Sequence, residues 1–277
     1  MMGEKIIEVK DVWFKYSEKV TALRGVSLEV AQGERIALIG QNGSGKTTLA
    51  KHLNGLLKPT KGDVIVKGMN TKETPTHILT NIVGYVFQNP AHQIFTKSVY
   101  EEVAYGPKNQ GLSKEEVDER VKMALELVGL SGYENVHPYD LNYGQMKLLT
   151  IASIIAMQPD VYVLDEPTSG QDHRGRRKLM KLIDRLNREG KTIIVITHDM
   201  RFVAETSERT ILMARGKIIG DGPTEEILLN TELLRQTAIK PPQIVQLCEG
   251  LRKQGIDLHA LTIQEAYQVL RRKLAAS

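Results

Sequence analysis

The sequence predicts an α/β fold built on a largely parallel β-sheet, with a smaller antiparallel sheet beside it. In the later part of the chain, runs rich in β-branched residues alternate with helical patterns, as in a parallel sheet with helical crossovers. The first strand-like runs follow one another without helices, which favours antiparallel pairing. The predicted strands are 5–12, 26–30, 35–39, 63–66, 82–87, 161–164, 192–197 and 210–213.

A glycine-rich loop between a predicted strand and a predicted helix is the third observation. The segment Gly40–Thr47 has the full spacing G-x-x-x-x-G-K-[ST] and leads into the helical pattern 48–57. Its glycines let backbone N–H groups converge on phosphate oxygens, Lys46 is placed to reach the β- and γ-phosphates, and Thr47 to hold Mg²⁺. We therefore predict a nucleoside triphosphate site, the alternative being a glycine-rich turn with an incidental lysine. Its predicted residues are Gly40, Gln41, Asn42, Gly43, Ser44, Gly45, Lys46, Thr47 and Thr48.

Composition limits the classes of protein that fit. The 277 residues are 41% hydrophobic and 25% charged, which suits one large domain with an appendage or two modest domains. The net charge of +4 is spread along the chain and gives no support to a nucleic-acid partner. The single cysteine, Cys248, excludes an internal disulfide, fits a reducing cytosolic setting, and is predicted to be a buried apolar residue. No signal peptide is visible, and no apolar stretch approaches the roughly 20 residues of a membrane span.

Two carboxylates end the predicted strand 161–164. Asp165 suits a water-mediated contact to Mg²⁺, because this hard cation prefers oxygen ligands. Glu166 is placed to orient and deprotonate the water that attacks a γ-phosphate. The alternative is an acidic turn after a strand, which is common away from a phosphate loop.

His198 and Gln88 follow two other predicted strands. Ligand sites of α/β sheets gather at the carboxyl ends of the strands, so His198 could hydrogen-bond the γ-phosphate there. The amide of Gln88 could ligate Mg²⁺ or the attacking water without adding charge. The alternatives are a strand-end histidine and a solvated loop amide.

Helical patterns fill the second half and the end of the chain. Ser113 and Glu116 form a capping-box pattern that opens a predicted helix. Two prolines in the segment 240–242 mark a boundary, since proline cannot continue a helix. Two short amphipathic segments follow, one with Ile244, Leu247 and Leu251 on one face and one with Ile263, Ala266, Tyr267 and Leu270. Such short helices must pack on the main domain or on a partner.

The order of the motifs resembles the nucleotide-binding subunit of ABC transporters. After the phosphate loop come Gln88, the segment 141–145, the strand with Asp165 and Glu166, the segment 169–172 and His198. The resemblance covers about residues 6–226 and is specific, because five separate motifs occur in order. It implies that Tyr16 stacks on adenine and that Asp172 lies in the loop that communicates across a dimer. The alternative for Tyr16 is a core or surface ring.

Two departures from the family pattern stand out. The family signature Leu-Ser-Gly-Gly-Gln is replaced by Leu141-Asn-Tyr-Gly-Gln145. By the resemblance, Asn142, Tyr143, Gly144 and Gln145 face ATP bound on the opposite subunit. Asn142 could still donate to a phosphate oxygen, whereas Tyr143 places a large side chain where the family has none. The loop with Asp172 also has Gln171 where the family usually has leucine.

A narrower resemblance is to the energy-coupling-factor group of importers, which take up vitamins or transition-metal ions. It rests on the segments 87–95 and 99–107 and on the tail from Lys240 to Ala266. In this group the segment after Gln88, here 90–95, docks on the coupling helices of a transmembrane subunit. We expect the pair in His92–Phe95 to present an apolar surface there; the alternative is an amphipathic turn that completes the helical subdomain.

The resemblance implies an ABC-type ATPase domain over 1–240, with a helical subdomain at about 100–158 and a helical extension over 241–277. The expected ligands are ATP and Mg²⁺, and the expected place is the cytoplasmic face of the membrane, peripherally attached. The expected partners are a second ATPase subunit, a transmembrane coupling subunit and a separate substrate-binding membrane subunit. The unusual signature favours a heterodimer over a homodimer. A homodimeric ATPase of another ABC transporter, a soluble ABC-type ATPase and a P-loop kinase are the alternatives.

Overall fold

The computed structural model describes residues 4–256 and 258–275, with side chains up to residue 272. Its ten strands are β1 (Lys5–Ser17), β2 (Val20–Ala31), β3 (Arg35–Gly40), β4 (Lys61–Val66), β5 (Met69–Asn70), β6 (Val83–Val86), β7 (Val161–Asp165), β8 (Thr192–Ile196), β9 (Arg209–Ala214) and β10 (Lys217–Pro223). A four-stranded antiparallel sheet has the order β2-β1-β4-β5, and a six-stranded sheet has the order β10-β9-β3-β8-β7-β6. All neighbours in the second sheet are parallel except β10 and β9. The predicted fold class is confirmed.

The helices are α1 (Lys46–Leu53), α2 (Thr76–Leu79), α3 (Val99–Asn109), α4 (Lys114–Val128), α5 (Tyr143–Met157), α6 (His173–Arg188), α7 (Met200–Thr206), α8 (Thr224–Leu229), α9 (Thr231–Arg235), α10 (Gln243–Arg252) and α11 (Ile263–Ala275). Short 3₁₀ turns lie at Pro90–His92 and Pro138–Asp140. Helices α3, α4 and α5 pack together and contribute to one apolar core. Among the described residues, no helix has the length and apolar character needed to cross a membrane.

Several strand and helix limits differ from the predicted ones for local reasons. Strand β1 continues past residue 12 to Ser17 because its pairing with β2 contains bulges, one next to Asp11 at φ 45°. Strand β10 was not predicted, since it contains two glycines and a proline and has no fully buried residue. Helix α1 ends at Leu53 rather than near 57, because Gly55 follows with φ 75°.

Helix α4 forms as its sequence predicts. The Ser113 hydroxyl accepts from the Glu116 backbone N–H, and the Glu116 carboxylate accepts from the Ser113 N–H. The two bonds satisfy donors that have no partner within the helix. Its apolar residues recur at helical spacing and are all buried: Val117, Val121, Ala124, Leu125 and Val128. They join the core between the helical region and the larger sheet.

The helical extension has a small core of its own. Cys248 is buried, as predicted, and packs with Leu258, Ala260 and Ala266. Of the first predicted apolar stripe, Ile244 and Leu251 pack against this core and Leu247 is exposed. Of the second stripe, only Ala266 is buried, whereas Ile263, Tyr267 and Leu270 are exposed. The extension therefore folds around a small apolar cluster and leaves the large side chains of its second stripe uncovered in the described structure.

The segment after Gln88 differs from its prediction in one residue. Ile94 is buried in the main core, so it does not form an exposed apolar pair with Phe95. Phe95 is 63% exposed and packs edge-on against Tyr105, with 4.8 Å between ring centroids. The exposed pair at this surface is Phe95 with Tyr105, because helix α3 turns Tyr105 toward the same side.

Candidate nucleotide site

The predicted site residues gather at one edge of the larger sheet. Strands β3, β8, β7 and β6 are consecutive and parallel, so their carboxyl ends meet there. The glycine-rich loop leaves β3, His198 follows β8, Asp165 and Glu166 end β7, and Gln88 follows β6. Sheet topology thus brings together residues that are more than 150 positions apart, at the edge where α/β proteins bind ligands.

The loop between β3 and α1 has a backbone that two of its glycines require. A Cβ at Gly40 would lie 2.4 Å from the carbonyl oxygen of Met213, and one at Gly45 would lie 2.7 Å from that of Ala22. Gly45 has φ 105° and directly precedes the first turn of α1. Only glycine fits this close approach, which leaves the loop next to the free N–H groups of a helix N-terminus. The loop has the form of an anion cradle.

The side chain of Lys46 lies against this loop. Its Nζ donates to the carbonyl oxygens of Gly40 at 2.7 Å and Gln41 at 3.0 Å. Burial lowers the pKa of Lys46, and the charges of Asp165 and Glu166 oppose this shift. The ammonium group is therefore held at the mouth of the loop, near the carboxylates of Asp165 and Glu166 at the end of β7.

Thr47 and Asp165 meet at the same edge. The Thr47 hydroxyl donates to Oδ2 of Asp165 at 3.0 Å, and the Tyr85 hydroxyl donates to the same oxygen at 2.8 Å. Burial and the Asp165 charge raise the pKa of Tyr85, so its hydroxyl keeps its proton. Tyr85 was not singled out from the sequence, because its buried position in a strand gives no sign of a partner 80 residues away.

These oxygen-bearing side chains fit a magnesium ion whose other ligands are phosphate oxygens. A hydroxyl and a carboxylate are adjacent, and the exposed Gln88 follows the next strand. Within 4–256 and 258–275, no cluster of three or more His, Cys, Asp or Glu is suited to a metal. Mg²⁺ commonly binds through one or two carboxylates plus substrate phosphates, which suits so small a donor set.

Glu166 is buried and oriented from three sides. Its carboxylate accepts from the Thr197 hydroxyl at 3.1 Å and lies 2.8 Å from Nδ1 of His198. Its backbone has φ 48°, in the left-handed region that is unfavourable for a residue with a side chain. Its N–H donates to the carbonyl of Ile196 at 2.8 Å. The His198 side chain is 81% exposed, so the pair lies at the surface of this edge.

Lys147 is a further charged residue at this edge, and sequence reasoning missed it. It is 0% exposed, and its Nζ donates to the carbonyl oxygens of Phe87 at 2.7 Å, Gln88 at 2.9 Å and Asp165 at 2.8 Å. Burial lowers the pKa of Lys147 to about 8. A lysine in an otherwise apolar helix was the available signal, because such a residue is buried only when its donors are satisfied.

Tyr16 lies on the smaller sheet beside the loop. Its ring is exposed and packs edge-on against Phe14, with 4.9 Å between centroids. Its hydroxyl lies 3.2 Å from Oγ1 of Thr48, the third residue of α1. The ring is thus held close to the phosphate loop with a face open to a planar ligand.

The segment Asn142–Gln145 forms the start of α5. The Asn142 side chain accepts from the Gln145 N–H at 2.9 Å, and the Gln145 side chain accepts from the Asn142 N–H at 3.1 Å. This is a capping box, so the amide oxygens of both side chains are engaged within the helix start. No described hydrogen bond joins this segment to the phosphate loop of the same chain.

The two departures from the family pattern, at Tyr143 and Gln171, lie where the start of α5 contacts the loop 169–172. The Gln171 amide donates to the carbonyl of Gly144 at 2.8 Å. A Cβ at Gly170 would lie 2.4 Å from Cδ1 of Tyr143, so the ring packs directly on this loop. Asp172 caps α6 by accepting from the Gly175 N–H at 2.6 Å. The start of α5 and the loop 169–172 are therefore interlocked within one chain.

Comparison with known proteins agrees with this geometry. Residues 23–169 match the family model described as ABC transporter. A putative ABC transporter ATP-binding protein of Caldanaerobacter subterraneus is 48% identical over 251 residues, which are 91% of this chain and 44% of that protein. The energy-coupling factor transporter ATP-binding protein EcfA of Methanocaldococcus jannaschii is 45% identical over 250 residues, or 90% of each chain.

A solved structure gives the same result. CbiO1 of Clostridium perfringens, described as part of the ABC transporter complex cbiONQ, superposes with a TM-score of 0.75 at 34% identity. The match covers 89% of this chain and 99% of that one. The resemblance drawn from the motifs, including that to the energy-coupling-factor group, is confirmed, and the chain belongs to the ABC transporter family as an ATPase.

Proposed function

We propose that this chain is the ATP-hydrolysing subunit of an energy-coupling-factor-type importer that takes up a vitamin or a transition-metal ion. The observation that carries the proposal is the single sheet edge at which Lys46, Thr47, Asp165, Glu166 and His198 converge. A phosphate cradle, a metal-binding pair and a buried carboxylate are the parts that phosphoryl transfer to water requires. The likeness to CbiO1 and EcfA supports the importer group.

ATP binds with its phosphates in the glycine-rich loop and its adenine against Tyr16. The N–H groups at the end of the loop and in the first turn of α1, with the Lys46 ammonium, face the phosphate oxygens. Lys46 exchanges its present carbonyl partners for phosphate, which costs little because both sets of acceptors lie at the loop. Tyr16 offers a π-face that is already held in place by Phe14.

Hydrolysis uses Glu166 as the base. Its buried carboxylate removes a proton from the water that attacks the γ-phosphate, and His198 orients the carboxylate through Nδ1. Only the doubly protonated ring of His198 could also donate to the γ-phosphate from its other nitrogen. Thr47, Asp165 and Gln88 would hold Mg²⁺, which neutralises charge on the phosphate oxygens when bound. Lys46 and the loop N–H groups stabilise the charge that develops on the phosphoryl group.

Two ATPase subunits pair head to tail, so that Asn142–Gln145 of one chain faces ATP on the other, and Asp172 lies where the sites communicate. We infer that the native partner is a different ATPase chain with a standard signature. The Tyr143 ring supports this, because it lies at the start of α5, packs on Gly170, and narrows the space through which a phosphate group would approach. Full and cooperative ATPase activity of the purified chain alone would instead support a homodimer.

The chain reaches the membrane through a transmembrane coupling subunit, and a separate membrane subunit binds the transported substrate. We place the docking contact at 90–95, where the exposed Phe95 and Tyr105 rings form an apolar surface. ATP binding closes the dimer, and hydrolysis reopens it, which moves the docked subunit. With such a contact, we propose that the chain lies peripherally at the cytoplasmic face of the membrane.

Detergent extraction with co-purification tests the proposal. The tagged full chain is expected to retain a second ATPase and a membrane subunit, and to hydrolyse ATP in that complex. Phe95→Ser is expected to reduce retention of the membrane subunit, whereas Leu56→Ser, at another exposed apolar position, is expected to leave it unchanged. Retention of no membrane protein would favour the soluble ATPase alternative.

A further inference from the structure

Lys147 is a buried cation held by backbone alone. An ammonium group has three N–H donors, and all three are used by the carbonyls of Phe87, Gln88 and Asp165. None of the ion pairs among the described residues includes Lys147. Burying a charge is costly, and removing Lys147 alone would leave three carbonyl oxygens without this donor. The three backbone contacts therefore offset the cost of burying the charge, and the role of Lys147 depends on what those contacts hold in place.

The three acceptors lie at the ends of two adjacent strands. Phe87 and Gln88 follow β6, and Asp165 ends β7, so one ammonium group joins both strand ends to helix α5. These strands carry the residues proposed to hold Mg²⁺ and the attacking water. The Lys147 contacts thus lie directly behind the chemistry, without touching the nucleotide.

The contact with Asp165 acts on the backbone of Glu166. The Asp165 carbonyl belongs to the peptide group that joins Asp165 to Glu166. Lys147 binds the carbonyl side of this peptide at 2.8 Å, and the Ile196 carbonyl binds its N–H side at 2.8 Å. The peptide plane is therefore fixed from both sides. Glu166 has φ 48°, a strained conformation that persists only where its surroundings enforce it.

Lys147 also lies close to the segment that faces the partner. It is two residues beyond Gln145, on the first turns of α5. A shift of this helix start on closure of the dimer moves the Lys147 backbone and, through its ammonium group, the strand ends. The path runs through three direct hydrogen bonds and needs no further residue.

We propose that Lys147 is a positioning residue for ATP hydrolysis, which fixes the Asp165–Glu166 peptide and the Gln88 backbone relative to the partner-facing start of α5. The inference rests on the proposed function, since it assigns Lys147 a role in aiming Glu166. It concerns the rate of hydrolysis and not the affinity for ATP, because none of the contacts of Lys147 involves the phosphate loop.

Steady-state kinetics of Lys147→Met and Lys147→Gln test the inference, with the full chain in the dimer in which wild type is active. Methionine has a similar length but no donors, and glutamine keeps two. We expect Lys147→Met to lower kcat by about 10- to 100-fold, the scale of a misplaced catalytic group. We expect KM and the Kd for ATP to change by no more than about twofold. Lys147→Gln is expected to recover part of the rate.

The control is Leu149→Val, which trims a fully buried side chain of the same helix. It is expected to lower Tm without lowering kcat per mole of bound ATP. A merely structural role for Lys147 would give the same result as this control and would overturn the inference. If Lys147→Met does not fold, Lys147→Gln alone decides, and a wild-type kcat for it would also overturn the inference.

Glu166→Gln separates this inference from the proposed function. If Glu166→Gln is inactive and Lys147→Met has a wild-type kcat, only the role of Lys147 is wrong. If Glu166→Gln retains a rate near wild type, the assignment of the base is wrong, and Lys147 has no base to position.

Discussion

The two halves of the proposed composite site differ in the hydrogen-bond partners of their side chains. The phosphate half consists of Gly40–Thr48, Asp165, Glu166 and His198, and the signature half of Asn142–Gln145 with the loop 169–172. In the phosphate half, side chains meet other side chains across strands, as Thr47 meets Asp165 and Glu166 meets His198. In the signature half, side chains mostly satisfy nearby backbone, as in the capping box of Asn142 and Gln145.

This difference follows from the ligand of each half. Every ATPase of this kind must bind the same phosphates, so the phosphate half keeps the family pattern in this chain. In the proposed dimer the signature half faces the partner subunit, so its requirements would depend on that partner. Its two departures, Tyr143 and Gln171, lie against Gly170 and Gly144 of the same local structure. Tyr143 and Gln171 therefore belong to one structural feature and have to be interpreted together.

The largest expected effect is that of Glu166→Gln. The amide cannot take a proton from water, and we expect turnover to fall by about 100-fold or more, since general base catalysis contributes 10²–10⁴-fold. ATP binding is expected to persist, because Glu166 is not part of the phosphate loop. Phosphate release and equilibrium ATP binding measure the two effects. Turnover near the wild-type rate would remove Glu166 from the phosphate half as its base.

Thr197→Val is the matched test for the support of Glu166. It removes the hydroxyl that donates to the carboxylate at 3.1 Å and keeps the shape of the side chain. A smaller loss of turnover than for Glu166→Gln is expected, with ATP binding unchanged. Equal losses would mean that the orientation of Glu166 matters as much as its basicity.

Lys46→Ala tests the cradle itself. A hydrogen bond to a charged group contributes about 1.5–3 kcal/mol, so the Kd for ATP is expected to rise by about 10- to 100-fold. Calorimetric titration with ATP gives this Kd. Lys51→Ala is the control, because Lys51 is a cation on the same helix. Its Nζ lies over the Phe87 ring, 5.8 Å from the ring centre, and not at the loop. Equal loss in both variants would indicate that general positive charge, and not the position of Lys46, binds phosphate.

The phosphate half was largely predictable from sequence, and the reason is local. The spacing of Gly40–Thr47 encodes a backbone shape, and the strand before it fixes the edge at which it lies. Asp165 and His198 end strands of the same sheet, so parallel pairing alone brings them to that edge. The charged residues of this half and the glycines of its loop therefore lie in short segments of sequence.

The supporting residues could not be predicted, because their contacts span the fold. Tyr85 and Lys147 reach Asp165 across 80 and 18 positions, and nothing in their own segments specifies the partner. The burial of Ile94 was missed for the same reason, since the side that a short turn presents depends on the helices packed behind it. Strand β10 was missed because its glycines and proline hide a weak apolar pattern.

Tyr16→Ala is expected to have a smaller effect. Stacking on a base contributes about 1–3 kcal/mol, and the exposed ring points to the lower end, about 5-fold in the Kd for ATP. Tyr16→Phe keeps the ring and loses only the contact with Thr48, so its Kd is expected to stay near that of wild type. Direct binding measurements with ATP and with inorganic triphosphate distinguish the adenine contact. An equal loss for both ligands would contradict stacking.

The smallest expected effect concerns the interlock of the signature half. Gly170→Ala places a Cβ at φ 74° and 2.4 Å from the Tyr143 ring, so we expect it to lower the free energy of unfolding by more than about 1 kcal/mol. In a Tyr143→Gly background the clash is absent and only the backbone strain remains, so the cost of Gly170→Ala should be smaller. Denaturant unfolding of the four proteins gives the coupling energy. Additive costs would mean that the ring leaves Gly170 in solution, and Tyr143 would then be free to face the partner's ATP.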